Sequence, residues 1–325
     1  MTRLQQVLFE VAAPTYGHPY FVTGHALWTA LARRLEDDRL RQSLAVSNGV
    51  FVPGEYGRYP EAHSQDGYAG KLGTELPPVE QYADLFVFRD AAHRWLADRR
   101  PRDGHNVLDI QQHGDRRTMA PQCWFGRPER MRNHRRSMQW YVHCYLHTTG
   151  GHGHEGESLL PISEDILDGI RVGGGRNYGF GELTVADTQV VDLDSLSFEG
   201  IRAAAADDQL QLELLAPYVV DSTAPGADDQ TVPWWWGLDD RARTLRRRES
   251  RLVDGDDVHT LETIDHGQVV RYAGSEPVRT ARNGVLRVGT HSKYGFGEFR
   301  LRPATDNRVP AHATAGDHAQ HGGQS

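Results

Sequence analysis

The sequence is short of cysteine, lysine and long apolar runs. Two cysteines, Cys123 and Cys144, among 325 residues are too few for a disulfide framework, which makes a reducing cytoplasm the expected compartment. No apolar run reaches the 18 residues of a membrane-spanning helix, and the first residues, Met-Thr-Arg-Leu-Gln-Gln, do not form a signal peptide. We therefore expect neither a membrane protein nor a secreted disulfide scaffold.

Lysine is almost absent, because Lys71 and Lys293 are the only two and the rest of the 36 basic residues are arginines. A net charge of −8 argues against a uniformly basic nucleic-acid binder, although local charge matters more than the total. The arginines cluster at 127–136 and 241–251. Each cluster could contact phosphate or form a solvated helix face, and the sequence leaves both interpretations open.

One pattern occurs twice, at an offset of 116 residues. Residues 171–183 are R-V-G-G-G-R-N-Y-G-F-G-E-L, and residues 287–299 are R-V-G-T-H-S-K-Y-G-F-G-E-F, identical at eight of thirteen positions. Core packing tolerates many apolar residues, so it does not explain two copies of Gly-Phe-Gly. Glycine is needed where the backbone takes a positive φ or where another group approaches closely, and such loops can direct bare N–H groups at an anion.

The sequence after each loop predicts a strand. Residues 181–191 are rich in β-branched residues, and residues 298–302 alternate between polar and apolar. A dinucleotide-binding loop or a P-loop would lead into a helix, and neither loop has the Gly-Lys-Ser/Thr that a P-loop needs. Before the first loop, residues 162–171 predict a short helix with Ser163 as its N-cap.

A helix, a glycine-rich loop with a basic residue, Gly-Phe-Gly and a strand together resemble the RAMP superfamily of CRISPR-associated proteins. In that superfamily the loop lies between the second helix and the fourth strand of a ferredoxin-like (RRM-like) domain. The second loop departs from the family pattern at Arg287, where many members have another glycine.

The resemblance implies that both loops bind CRISPR RNA, without cofactor or metal. The implied RNA-binding residues are Arg171, Gly173, Gly174, Gly175, Arg176, Asn177, Tyr178, Gly179, Phe180, Gly181, Gly289, His291, Ser292, Lys293, Tyr294, Gly295, Phe296 and Gly297. The favoured function is a non-catalytic effector subunit that holds the repeat-derived 5′ handle of the guide and assembles with other protein subunits. The alternative is a metal-independent endoribonuclease that cuts the precursor transcript, with His25 as the general base.

The predicted fold class is α+β, with two tandem ferredoxin-like domains, the second reduced and mostly β. The first domain covers 1–195, with strands at 4–12, 44–52, 137–147 and 181–191, a helix from Gly24, and a long insertion at 54–136 containing one helix near 89–99. The second covers 196–303, with strands at 209–220, 258–264 and 267–273 and at most a short helix within 275–285. A disordered tail is expected at 304–325.

Two further groups invite interpretation. His143, Cys144 and His147, with His152 and His154, could suggest zinc, but neighbouring strand residues face opposite ways and no Cys-x-x-Cys accompanies them, so no metal site is predicted. The triplet Trp234-Trp235-Trp236 is expected to combine core packing with a surface anchor, the alternative being a base-stacking platform.

Overall fold

The computed structural model describes most of the chain. It describes residues 2–13, 15, 17, 21–53, 75–90, 92, 108–113, 116–121, 140–149, 159–225, 227, 230–238, 245–254, 256–287 and 289–304. Within these residues the fold is mixed α+β, as predicted, and the named strands pair with one another antiparallel. Nearly all of the predicted tail and much of the predicted insertion lie outside the described residues.

The first half builds one large sheet with α1, α2 and α3 on one face. In chain order its elements are β1 (Arg3–Val11), β2 (Phe21–Val22), α1 (Gly24–Ala32), α2 (Asp38–Ser43), β3 (Leu44–Val46), β4 (Gly49–Pro53), β5 (Leu108–His113), β6 (Arg116–Pro121), β7 (Trp140–Thr148), α3 (Glu164–Leu167), β8 (Ile170–Arg171) and β9 (Glu182–Asp192). The sheet order is β2-β4-β7-β1-β9-β8, with β3 pairing to β7 beside β4, while β5 and β6 form a separate hairpin.

The central strand β1 is buried on both faces. Val7 and Phe9 contribute to the core that includes α1, whereas Leu4 and Leu8 belong to the clusters on the opposite face. A strand covered on both faces is expected to be continuously apolar rather than alternating, which is how the Val-Leu-Phe segment of β1 is built. The helical spacing of Leu27, Ala30, Leu31 and Leu35 predicts that they share one apolar face, and all four are buried, the first three on α1 and Leu35 just after its end.

The second half is richer in strands. Its elements are α4 (Glu199–Ala206), β10 (Leu210–Leu214), β11 (Tyr218–Ser222), β12 (Trp236–Gly237), β13 (Arg247–Asp254), β14 (Asp257–Ile264), β15 (Val269–Tyr272), α5 (Pro277–Val285) and β16 (Phe299–Pro303). Two sheets result, ordered β12-β15-β10-β16 and β11-β14-β13. The core of this half continues into the first, because Leu4, Tyr145 and Val191 cluster with its side chains.

The prediction of one strand over 209–220 is wrong. The chain forms β10 and β11, which belong to different sheets. Between them the N–H groups of Leu215 and Ala216 both donate to the carbonyl oxygen of Glu298, and Pro217 has no N–H to continue a ladder. The alternating pattern was sound for each strand, but it does not reveal where the chain changes sheets.

The predicted strand at 44–52 is interrupted rather than continuous. Between Val46 and Val50 the chain advances one residue more than its partner β7, which is a β-bulge. At this bulge the side-chain oxygen of Asn48 accepts a hydrogen bond from Gly24 N at 2.7 Å. The interruption therefore ties the sheet to the first residue of α1.

The helix predicted at 162–171 is a single turn, α3. Ser163 occupies the N-cap position as predicted, although its side chain makes no capping bond. Gly169 takes a φ of 68°, which ends the turn. Ile170, the first residue of β8, then pairs with Leu183 of β9. The spacing of the apolar residues predicted a longer helix than the chain forms, because Ile170 is buried as part of strand β8 and not as part of α3.

Three other expectations need correction or limitation. The helix expected near 89–99 begins earlier, with a 3-10 turn at Tyr82–Phe86 that continues as helix through residue 90, and residues 93–99 are outside the described part. The end of the 241–251 arginine cluster lies on strand β13, so it is no helix face there. The helix expected to be at most poor within 275–285 is α5, nine residues long with Pro277 in its first turn.

Candidate functional site

The two glycine loops have the same backbone, and both lead into strands as predicted. Gly173, Gly175, Gly179 and Gly181 have φ values of 76°, 69°, 88° and 75°. The residues 116 positions later, Gly289, His291, Gly295 and Gly297, have φ values of 103°, 61°, 89° and 76°. A 3-10 turn lies between the second and third position of each set, at Arg176–Tyr178 and Ser292–Tyr294. The sequence repeat is therefore a repeat of conformation.

His291 holds the left-handed conformation that Gly175 holds in the first loop. A side chain at positive φ is strained, and histidine is among the few residue types that adopt it. The ring is held by a 2.8 Å hydrogen bond between its Nε2 and the hydroxyl of Ser222 on β11. Sequence comparison of the two loops could not reveal this partner, which lies 69 residues away.

The first arginine of each motif braces its own loop. Arg171 donates to the carbonyl oxygen of Arg176 at 3.4 Å, and Arg287 donates to that of Ser292 at 3.2 Å, the corresponding bond. Arg171 also forms a 3.0 Å ion pair with Glu182. The buried Arg287 instead donates to His147 Nδ1 at 2.6 Å. Both guanidinium groups therefore have a role inside the loop, and RNA contact by Arg171 stays a prediction.

The first loop is open to solvent. Tyr178 is 74 % exposed, and Asn177 and Gly179 are exposed beside it. No carboxylate in the described part of the chain forms an ion pair with Arg176. At the base of the loop, a Cβ on Gly181 would lie 1.9 Å from the carbonyl oxygen of Val172, so only glycine fits there. The loop therefore presents a cation, an amide and an aromatic ring on a rigid turn.

The second loop is packed against α1. A Cβ on Gly24 would lie 2.6 Å from the carbonyl oxygen of Tyr294, and one on Gly295 would lie 2.8 Å from Asn48 Oδ1. The buried ring of Tyr294 makes perpendicular contacts with His25 and Trp28 at centroid distances of 5.0 Å and 5.1 Å. Gly24 and Gly295 are thus required by a close approach of two backbones.

Lys293 lies over aromatic rings at this junction. Its Nζ is 4.7 Å from the ring centroid of Tyr294 and 5.1 Å from that of Trp28, within the range of a cation–π interaction. In the described residues no carboxylate forms an ion pair with this ammonium group. The only described lysine is therefore fixed in position while its charge remains available to an anion.

His25, the alternative catalytic residue, is brought to the second loop rather than the first. Burial lowers its pKa below the ordinary value, Asp254 opposes that shift, and Lys293 adds to it. The pKa of His291 is also lowered, by burial first and then by Lys293 and His259. Both rings are therefore neutral at pH 7, the state in which an imidazole can accept a proton.

Two cavities flank Tyr294. The first has a volume of about 440 Å³, and its lining residues are Phe21, Thr23, His25, Asn48, Pro217, Arg248, Glu249, Ser250, Arg251, Leu252, Asp265, His266, Tyr294 and Phe296. The second, of about 590 Å³, includes Asp254, His259, Gly289, His291 and Lys293 in its lining. Leu252 and Tyr294 line both. No sequence pattern identifies Phe21, Asn48, His259 or His266 as neighbours, because they come from separate strands and loops.

The remaining sequence candidates are distributed elsewhere. His143 and Cys144 face opposite sides of β7 as expected, with Cys144 in the α1 core and His143 against Phe88. Among the described residues, no group of three or more His, Cys, Asp or Glu side chains is arranged to hold a metal ion, and His152 and His154 lie outside them.

Trp236 is buried and Trp234 is 77 % exposed, which confirms core packing plus a surface position. The cluster at 127–136 is outside the described residues.

Searched against protein-family models, the chain matches none, and a search of curated proteins finds no match either. In the described part of the chain, no helix has both the length and the apolar character needed to cross a membrane.

Proposed function

We propose that the protein is a CRISPR RNA-binding subunit of the RAMP kind, which holds the repeat-derived 5′ handle of the guide through its two glycine loops and works in the cytoplasm with other effector subunits. The observation that carries the proposal is the repeated loop. Two segments 116 residues apart share one unusual backbone, and each follows the last helix of its half and leads directly into the last strand. Two loops with the same backbone conformation are expected when both loops bind the same kind of ligand.

The strand order supports tandem ferredoxin-like domains. A ferredoxin-like β-α-β-β-α-β unit has its four strands in the spatial order 4-1-3-2. In the first half β9, β1, β7 and β4 follow this order, with α1 and α3 in the expected places along the chain. In the second half β16, β10, β15 and β12 follow it too, with α5 before the last strand. The second unit is reduced, since β11 stands where the first helix would be.

The loops offer the groups that RNA recognition uses. Arg176 and Lys293 provide positive charge for phosphates, and the exposed Tyr178 provides a face on which a base can stack. Because the exposed loop presents Arg176, which has no ion-pair partner among the described residues, beside the aromatic ring of Tyr178, its contacts should be to single-stranded RNA, whose bases are free to stack.

A second candidate is endoribonuclease activity, favoured by the position of His25. Its neutral imidazole, in contact with Tyr294 and near Lys293, could take the proton of a ribose 2′-hydroxyl that attacks the adjacent phosphate. The 5′-oxygen would then leave with a proton from a general acid, producing a 2′,3′-cyclic phosphate. Nearby positive charge from Lys293 would stabilise the negative charge that develops on the phosphate.

Incubation of the pure protein with labelled repeat RNA in EDTA tests both candidates. The subunit hypothesis predicts retention of intact RNA, whereas discrete cleavage that His25→Ala abolishes would establish the nuclease instead. Wild-type protein that neither binds nor cuts the RNA would refute both.

A further inference from the structure

The 440 Å³ cavity beside Tyr294 lies where several elements meet. The edge strand β2 and the start of α1 form one wall, and five consecutive residues of the edge strand β13, 248–252, form another. Successive side chains of a strand alternate between faces, so five consecutive lining residues mean that the edge of β13 borders the cavity. The cavity therefore has polar backbone groups along one side and a helix start on the other.

Aromatic rings dominate the rest of the lining. Phe21 and His266 meet edge to face at 5.8 Å, and His25 meets Tyr294 in the same way at 5.0 Å, with Phe296 nearby. Imidazole and phenyl rings stack readily on nucleobases. A volume of about 440 Å³ is within the range of small-molecule sites, large enough for a planar heterocycle.

Polar and charged groups surround these rings. Asn48 is buried, and its Oδ1 accepts a hydrogen bond from Gly24 N. Its NH2 group is the part of the amide that can donate to a ligand. Arg248 and Arg251 are exposed at the cavity, and within the described residues neither has an ion-pair partner. Of the two lining carboxylates, Asp265 already contacts Arg246 and His266, and Glu249 is exposed. The positive end of the α1 dipole adds to the attraction for an anion.

We propose that this cavity takes one unstacked base of a single-stranded RNA, with the adjoining phosphates on Arg248 and Arg251. The inference rests on the proposed RNA-binding function and adds a base-binding site outside the glycine loops. It also assigns a purpose to the arginine cluster at 241–251, whose end lies on β13.

RNAs with a single abasic nucleotide, placed at successive positions, test the assignment. For the wild-type protein, one abasic position should weaken binding roughly 5- to 150-fold, the effect of losing one stacked base. With Phe21→Ala the same abasic RNA should bind no worse than intact RNA, because the base has already lost its site. An equal abasic penalty in both proteins would overturn the proposal.

Arginine variants give a second readout that does not disturb the core. Arg248→Ala and Arg251→Ala should each weaken RNA binding, whereas Arg202→Ala, on the exposed side of α4, should not. If both β13 variants bind like the wild type while Arg176→Ala and Lys293→Ala bind weakly, this cavity assignment fails and the glycine-loop function stands. If the wild-type protein binds no RNA at all, both fail together.

Discussion

At the residue scale, the glycines of the loops serve two physical purposes. They provide positive φ, as the sequence pattern predicted, and Gly295 also allows the backbone of the second loop to approach Gly24 at the start of α1. Only the first purpose can be inferred from one loop in isolation. His291 shows what the sequence cannot predict. A comparison of the two loops would place a glycine at this left-handed position, and the hydrogen bond that holds the histidine comes from Ser222 on a distant strand.

Gly181→Ala should destabilise the protein. The new Cβ would meet the carbonyl oxygen of Val172 at 1.9 Å, and the residue holds a φ of 75°. A strained backbone of this kind costs about 1–3 kcal/mol, and the contact adds to it. Gly200→Ala is the matched control, since its Cβ meets nothing within 4 Å on α4 and should stabilise by about 0.5–1 kcal/mol. Equal unfolding midpoints in denaturant would contradict the account.

The buried His143 should make stability depend on pH. Burial, aided by the charge of Arg89, lowers its pKa to about 3 from an ordinary value of 6.5. Between these pH values the unfolded chain binds a proton that the folded protein does not, so the free energy of unfolding falls as pH falls below 6.5. The slope is about 1.4 kcal/mol per pH unit. His147, whose pKa is also lowered by burial, adds in the same direction.

His143→Gln tests that slope. Glutamine does not titrate and keeps a donor for Gln6 Oε1, which lies 2.9 Å from the histidine Nε2. Urea unfolding between pH 4 and pH 6 should show a pH dependence shallower by about 1.4 kcal/mol per unit than in the wild type. Parallel profiles for the two proteins would mean that the histidine is not the cause.

At the element scale, the two loops are the same element in different surroundings. The sequence predicted both loops and the strands after them, because those signals are local. It could not predict that Tyr178 is exposed while the matching Tyr294 is buried against α1, since burial depends on which element packs there. The break at Leu215–Pro217 was missed for the same reason: a change of sheet is decided by distant partners such as Glu298.

The two tyrosines should therefore respond differently to removal. Tyr294→Ala should destabilise by about 3–5 kcal/mol, because it empties a packed aromatic site. Tyr178→Ala should change stability by no more than about 0.5 kcal/mol but weaken RNA binding. Melting temperature and RNA affinity measured on both variants separate these effects. A large loss of stability for Tyr178→Ala would contradict the exposed position.

At the scale of the whole molecule, charged groups buried between the halves connect them. Arg89, next to the 3-10 turn at Tyr82–Phe86, forms a 2.7 Å ion pair with Glu298 beside β16, and both side chains are nearly inaccessible to solvent. Their separation of 209 residues explains why sequence patterns did not predict the pair. The α+β class and the positions of the two loops were predictable in outline, while contacts between the halves were not.

Breaking that pair should be costly. Arg89→Met removes the guanidinium group that pairs with the Glu298 carboxylate, which stays buried and charged. This substitution should lower the free energy of unfolding by about 3–5 kcal/mol. Adding Glu298→Gln should recover part of the loss, since the buried charge is removed. The exposed pair Arg279–Glu276 is the control, where Arg279→Met should cost less than about 1 kcal/mol. Similar losses for the two methionine variants would refute the burial argument.

The central claim is that both glycine loops contact RNA phosphates. Its most direct test is the salt dependence of RNA affinity. For single-stranded RNA, each lost phosphate contact should reduce the slope of log affinity against log salt by about 0.7. Arg176→Ala and Lys293→Ala should each show this reduction, and Arg202→Ala should keep the wild-type slope. Unchanged slopes and affinities for the two loop variants would mean that the repeated loops serve only the fold.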